Sequence, residues 1–349
     1  MSSDSKPVRK YTTAKPEIDD KIRDLLKEWG VDPEEPKYFE MVVTILKLAS
    51  DNPHPADLLL FNRMMKEVRY ANRVFQPYRG TRKISVFGSA RTLADCPTYK
   101  AAYHFSEMMR DRGFMVITGG GEGIMGAAQA GAGREHGFAL NIELPFEQRA
   151  NKTIDGDHKL INFKYFFTRK LQFLKNSDAI ALFPGGFGTI DEGFETLTLM
   201  QTGKAQILPV IMVDEPHGSF WRSFDHYIKN HLIKDGLISR DDLHLFKITD
   251  SLEEACREVI NFYYNFVSYR FVRDICVIRM QRQIPQGGLV RLEEDFQDIL
   301  IGEEPVWTSE ALPEEAEETE IADLPRLCIR FNRRAYGRLR QLIDRVNMY

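Results

Sequence analysis

The chain has no apolar run approaching the roughly 18 residues that a membrane-spanning helix needs, so no membrane partner is expected. Cysteine is scarce. Cys96, Cys256, Cys276 and Cys328 are scattered without C-x-x-C or Cys/His spacing, which excludes a disulfide scaffold and a zinc site and reads as reduced packing residues. No sign of charge dominates: 47 basic against 51 acidic residues leave a net charge of −4, so nothing global favours nucleic acid or a membrane surface. The polar start MSSDSKPVRK carries no signal-peptide pattern. Together these absences point to a cytoplasmic protein. Internal repeats are also lacking.

What is present is ordinary globular composition, 43% hydrophobic and 28% charged over 349 residues, enough for one large or two modest domains. Residues 1–15 read as disordered. Residues 16–80 read as helical: Ile18, Ile22, Leu25, Leu26 and Trp29 fall at helix spacing, as do Phe39, Val42, Val43, Ile45 and Leu46. Gly30 and Pro33 end the first helix, and Pro55 opens a third through Leu58, Phe61, Met65, Val68 and Phe75. This preface carries no catalytic constellation and reads as a packing or oligomerisation layer.

From 81 to 267 the period changes. Short apolar strands (ISVFGSA, FMVITGGG, FALNIEL, AIALF, LPVIMV) alternate with helices of 10–15 residues, the last two expected over Phe220–Lys234 and Leu252–Phe266. That alternation implies an α/β fold, a doubly wound, mostly parallel sheet of Rossmann-like type covered on both faces. Residues 268–349 form a C-terminal α+β extension. In it, RDICVIRMQRQ alternates like a strand and GLVRLEEDFQDIL is amphipathic. The stretch 302–325 holds nine acids, three prolines and no Lys or Arg, and reads as a solvated acidic linker. The tail from Arg326 holds seven arginines, with Tyr336, Leu339, Leu342, Ile343 and Val346 at helix spacing. It reads as docking on an acidic surface of its own or a neighbouring subunit; the rival is binding of nucleic acid or a regulatory phosphate.

The stretch AIALFPGGFGTIDEGFE, 179–195, organises the chain: a buried strand, a glycine turn, and the start of a helix that carries Asp191, Glu192 and Glu195, with Glu192 expected less than one turn inside it and Glu195 one turn further along. Such a junction aims backbone N–H groups and a positive helix end at one point, a ready anion site. Gly185, Gly186 and Gly188 let a ligand approach the backbone, and Thr189 is the expected cap and hydroxyl donor. A second turn, Gly121-Glu122-Gly123-Ile124-Met125-Gly126, matches G-x-G-x-x-G, with Glu143 at the end of the next strand. Alone it suggests NAD, but the turn follows the second strand, and the PGGFGT turn would go unexplained.

GGGEGIMGAA (119–128) together with PGGFGTIDE (184–192) resembles the LOG family, the cytokinin-activating phosphoribohydrolases long labelled lysine decarboxylases. Their paired motifs are GGGxxGLMG and PGGxGTxxE. The family's upstream Arg-Lys pair is matched by Arg169-Lys170. The departures are Ile124 for Leu, Glu122 in the first glycine loop, and extra segments at both ends, which bear on substrate identity more than on reaction type.

The resemblance implies hydrolysis of a nucleoside 5′-monophosphate, AMP or a cytokinin-type riboside monophosphate, to free base and ribose 5-phosphate, with no metal or redox cofactor, in a homodimer or higher homo-oligomer. Glu192 matches the motif glutamate that would stabilise or trap the ribose cation. Arg169 matches the catalytic arginine, which either orients Glu192 or stabilises the departing base. Gly185, Gly186, Gly188 and Thr189 would hold the phosphate, Glu195 the ribose hydroxyls, and Ser89, Gly120, Gly121, Met125 and Lys170 complete the substrate-binding set. The alternatives are a nucleotide-sensing protein with little catalysis and an NAD-binding protein. Nothing in the chain suggests the pyridoxal lysine that lysine decarboxylation requires.

Overall fold

Proline opens the first three helices, where its fixed φ suits the first turn and its missing N–H has no partner to lose. These are α1 (Pro16–Glu28), α2 (Pro36–Ser50) and α3 (Pro55–Phe75). The computed structural model describes residues 11–32, 35–143, 150–303 and 305–349; the expected disorder over 1–15 falls outside these residues up to position 10. The chain divides into two compact units, Met1–Lys66 and Glu67–Tyr349. Among the described residues of the first, Ile22 and Val43 are the buried apolar side chains. Tyr38, Met41 and Ile45 on α2, and Leu58, Phe61 and Met65 on α3, form exposed stripes at helix spacing, and Trp29 is 84% exposed.

The second unit is built on seven parallel strands: β1 (Lys83–Phe87), β2 (Met115–Thr118), β3 (Gly137–Ile142), β4 (Leu160–Phe163), β5 (Ala179–Leu182), β6 (Val210–Val213) and β7 (Lys247–Thr249). Their order is β4-β3-β2-β1-β5-β6-β7, so the winding direction reverses between β1 and β5. The interleaved helices are α4 (Pro97–Asp111), α5 (Ile124–Ala132), α6 (Phe166–Asn176), α7 (Phe187–Gln201), α8 (Phe220–Tyr227) and α9 (Leu252–Phe262). Ile84, Val86, Ala179, Ala181, Ile211 and Val213 point to α4, α5 and α9. Phe87, Ile180, Leu182, Val210 and Met212 point to the other face, toward α6, α7, α8 and the end of α3. With both faces buried, successive strand residues must all be apolar, which is why AIAL shows no alternation.

β4 and β7, both short, lie in stretches where no strand was expected. The helix expected to Phe266 stops at Phe262, and β8 (Phe266–Val272) begins where it should have continued. The cause is remote in sequence. Asn347 donates to Phe262 O at 2.7 Å and accepts from the backbone N–H of Asn265 and Phe266, both at 2.8 Å, capping the helix end from the far terminus. The strand expected over RDICVIRMQRQ is present as β9 (Ile275–Met280), and it pairs antiparallel with β8 across a turn at Arg273 with φ of 54°.

A second, antiparallel sheet has the order β10-β11-β9-β8, with β10 (Val306–Ser309) and β11 (Arg326–Ile329). It packs with α10 (Gln286–Phe296) and α11 (Tyr336–Val346), and its core includes Ile207 and Phe262 of the first sheet's elements. The acidic stretch 302–325 is therefore no solvated linker: it contributes β10 and an ion cluster. Glu315 is 2% exposed and accepts from Arg279 Nε and Nη2 (2.9 and 2.7 Å), from Arg326 Nε (3.3 Å) and from Leu312 N (3.0 Å). Burial opposes ionisation, but these donors carry its carboxyl below the ordinary range. The arginine tail docks on the chain's own acids: Arg338 on Asp298, Arg345 on Asp295, and Arg340 on Asp344 and Glu258.

Replacing Glu315 leaves buried Arg326 without its carboxylate and buried Arg279 with Glu318 alone. Glu315→Ala should cost about 3–5 kcal/mol in denaturant unfolding, whereas Glu320→Ala, an exposed acid of the same stretch, should stay within about 0.5 kcal/mol. Equal, small losses would refute a structural role for the cluster.

Candidate active site

Ligands of such sheets sit beyond the carboxyl ends of the strands, where the winding reverses. Here that point lies between β1 and β5, and a cleft of about 670 Å³ opens there. It is lined from one side by Phe87–Arg91, from the other by Gly185–Glu192, with Met125, Phe166 and Arg169 closing it. A second cavity of about 640 Å³, near Ser177, Asp178 and Leu208, lies at the amino ends of β5 and β6, away from both glycine motifs.

Backbone hydrogen bonds tie the turns together. Phe183 N donates to Phe87 O (2.8 Å), Ser89 N to Pro184 O (3.1 Å), and Ile124 N to Ser89 O (3.0 Å). Gly123, at φ of 64°, lies where any Cβ would overlap Ser89 O and sit 2.6 Å from the carbonyl carbon of Ala90. Only glycine lets the two turns touch.

α7 starts at Phe187, with Gly186 as its N-cap residue. Its first bonds run from Thr189 N and Ile190 N to Gly186 O (3.0 and 3.2 Å). Thr189 is thus not the cap: it lies in the first turn, buried, with its hydroxyl against Gly185. Glu192 also lies deeper than expected, and the first turn of α7 carries no acid. The reason is local: two glycines complete the strand exit by Gly186, so the helix begins earlier. The consequence is chemical. Phe187 and Gly188, whose amides open the helix, line the cleft, with no carboxylate in the first turn to compete for them.

Glu192 is 9% exposed. Burial pushes its carboxyl up to about 7, against the pull of Lys170 and Arg169 and with a push from Glu195 and Asp191. Arg169 is anchored by Nε to Leu140 O (2.9 Å), with its guanidinium 5.3 Å from the Phe173 ring centre. Lys170 lies between Asp191 (2.8 Å) and Glu195 (2.9 Å). Burial works against its charge, but those two carboxylates hold its ammonium above the ordinary value.

The family model described as "Possible lysine decarboxylase" matches residues 122–259. A cytokinin riboside 5′-monophosphate phosphoribohydrolase of Mycobacterium tuberculosis is 29% identical over 188 residues, covering 50% of this chain and 96% of the relative. An Arabidopsis thaliana protein with the same name is 25% identical, covering 51% of this chain and 77% of its own. Over about half its length the chain is similar to the LOG family. Among solved structures, a molybdenum cofactor binding protein of Rippkaea orientalis is 21% identical over 52% of this chain and 95% of its own, at a TM-score of 0.37. The fold assignment rests on this chain's own strand order.

Of the residues singled out by the LOG motifs, Ser89, Met125, Arg169, Gly185, Gly186, Gly188, Thr189 and Glu192 line the cleft together. Gly120, Gly121, Lys170 and Glu195 are not among its lining residues. Gly120 packs on Ala139 and Asn141 and is held by Asn151, whose N and Nδ2 donate to its carbonyl (2.8 and 3.1 Å). Gly121 packs on Met125. Lys170 and Glu195 engage each other. Arg91, Phe166 and Phe187 line the cleft without having been singled out. Phe187 is 95% exposed, and its place inside the glycine motif was the available signal. Arg91 lies two residues beyond Ser89, in a turn whose direction only the fold sets.

A Cβ on Gly185 would overlap Thr189 Oγ1 and lie 3.0 Å from Ser89 N, whereas one on Gly186 meets nothing within 4 Å. Gly185→Ala should therefore lower unfolding stability by about 1–3 kcal/mol, with Gly186→Ala close to neutral. Equal effects would mean that the turns do not pack as described.

Proposed function

We propose that this protein hydrolyses the N-glycosidic bond of nucleoside 5′-monophosphates, releasing free base and ribose 5-phosphate. The observation that carries the reading is a carboxyl buried in the cleft, pushed by that burial up to about 7, on the same helix whose opening residues line the cleft. The α7 amides hold the phosphate. That places the ribose near Glu192, one turn deeper. As the C–N bond breaks, positive charge builds on the ribose ring, and an ionised Glu192 stabilises it or adds to it before water attacks. Arg169 adds positive potential that favours the ionised form of Glu192. No lysine is among the residues lining the cleft, which argues against the decarboxylase label.

Purified protein incubated with a panel of nucleoside monophosphates should release free base, read by chromatography. Binding without release would favour a nucleotide-binding role instead. Glu192→Gln should lower kcat by about 10²–10³-fold with little change in affinity, while Asp191→Asn, whose carboxylate Lys170 holds, should lose less than about tenfold. The pH dependence has a definite sign. Burial favours neutral Glu192, the working form is ionised, so kcat should rise as pH passes upward through about 7. A rate that falls through this range would assign Glu192 the opposite role, as an acid.

We also infer a homo-oligomer formed through the first unit. Eight of its large apolar side chains, Leu25, Trp29, Tyr38, Met41, Ile45, Leu58, Phe61 and Met65, are each 40% or more exposed. At roughly 200 Å² per large side chain, with about half of it exposed, they offer about 800 Å², what one partner brings to a standard interface. The apolar face of α11, by contrast, is already buried within the chain. Light scattering should give at least twice 40.3 kDa, and Met41→Ser with Phe61→Ser should reduce it; a wild-type monomer at all concentrations would overturn this.

A further inference from the structure

We propose that Arg91 is the cationic clamp of the 5′-phosphate, making the site selective for nucleotides over nucleosides. This rests on the reading of the cleft as a nucleoside monophosphate site.

The argument starts from charge. A nucleoside 5′-monophosphate brings a dianion into a cleft whose working acid, Glu192, must itself be ionised. The N-terminus of α7 supplies only about half a positive charge, too little to balance the phosphate. Uncompensated, the phosphate would push the Glu192 proton equilibrium further toward the neutral, inactive form. A full cation is needed at the phosphate end.

Among the described residues three cations lie near the cleft, and two are committed. Lys170 lies between Asp191 and Glu195. Arg169 is fixed by Leu140 O and packs over Phe173, beside Gly119 of the first glycine turn. Arg91 remains. It lines the cleft and is exposed, and among the described residues its guanidinium has no carboxylate, carbonyl or ring partner. Ten other arginines of the second unit, Arg110, Arg134, Arg222, Arg270, Arg279, Arg326, Arg330, Arg338, Arg340 and Arg345, pair with acids.

The backbone also sets Arg91 where a phosphate on α7 would be in reach. Arg91 N donates to Ser89 Oγ at 3.1 Å, a tight turn directly after the residue whose own N–H bonds Pro184 O. The arginine turn and the glycine turn of α7 are therefore one hydrogen-bonded unit. A guanidinium fork can grip two phosphate oxygens from the side opposite the helix amides.

The test is calorimetric titration of AMP and of adenosine into wild type, Arg91→Ala and Arg91→Lys, with KM for AMP alongside. Arg91→Ala should bind AMP about 10–100-fold more weakly, as expected for loss of hydrogen bonds to a charged group, and bind adenosine unchanged. Arg91→Lys should recover part of the loss, since one ammonium cannot fork. The thermal midpoint of Arg91→Ala should match wild type, because no contact is removed. Unchanged AMP binding by Arg91→Ala overturns the proposal, and so does equal weakening of AMP and adenosine. If wild type releases no base from any nucleotide, yet Arg91→Ala still loses AMP selectively, the hydrolase reading fails and the clamp stands. A wild type that binds no AMP overturns both.

Discussion

How closely three glycine turns can approach one another decides everything in the cleft. The chain winds outward from β1 to β4 and then returns to lay β5 against β1. The turns leaving those two strands are pressed together, with Ser89 bridging: its N–H bonds Pro184 O and its carbonyl accepts from Ile124 N. Side chains at Gly88, Gly123 or Gly185 would fill that junction with Cβ atoms. Without the approach, the amides of α7, the Arg91 turn and Glu192 would not share one cavity.

The electrostatics of the cleft follow from the same packing. Thr189 and Glu192 point inward because α7 starts as soon as Gly186 can accept its first bonds, so Glu192 is carried into a low-dielectric position. Desolvation alone would leave it neutral. Arg169 and Lys170, on α6, partly restore its ionisation, bringing it near neutrality where either protonation state is accessible. Lys170 is itself held by Asp191 and Glu195, so the acids of α7 act on Glu192 partly through the lysine between them.

The C-terminal sheet illustrates a different balance. Its acidic stretch survives burial because Glu315 meets two guanidiniums and a backbone N–H, which together offset its desolvation. α11 returns to cap α9 through Asn347. The extension is thus continuous with the parallel sheet's surroundings, sharing Ile207 and Phe262 in its core.

Much of this was legible in the sequence. Short apolar strands between helices announced a doubly covered parallel sheet, because only burial on both faces tolerates runs such as AIAL. The glycine spacing in GGGEGIMG and PGGFGT marked both turns, because the steric demand that excludes side chains there is local. Glu192 and Arg169 were found through those motifs. What the sequence left open depends on contacts between distant residues. Strand order, and hence the meeting of β1 with β5, is a packing outcome. The end of α9 is set by Asn347, more than 80 positions away. The stretch 302–325 read as a linker because nine acids without Lys or Arg look solvated until Arg279 and Arg326 arrive from other strands. The ion pair of Lys170 with Glu195 had no signal in the sequence, since only the crossing of α6 and α7 brings them within 2.9 Å. Local sterics and periodicity are written along the chain; pairing of charges and adjacency of strands are decided by the fold.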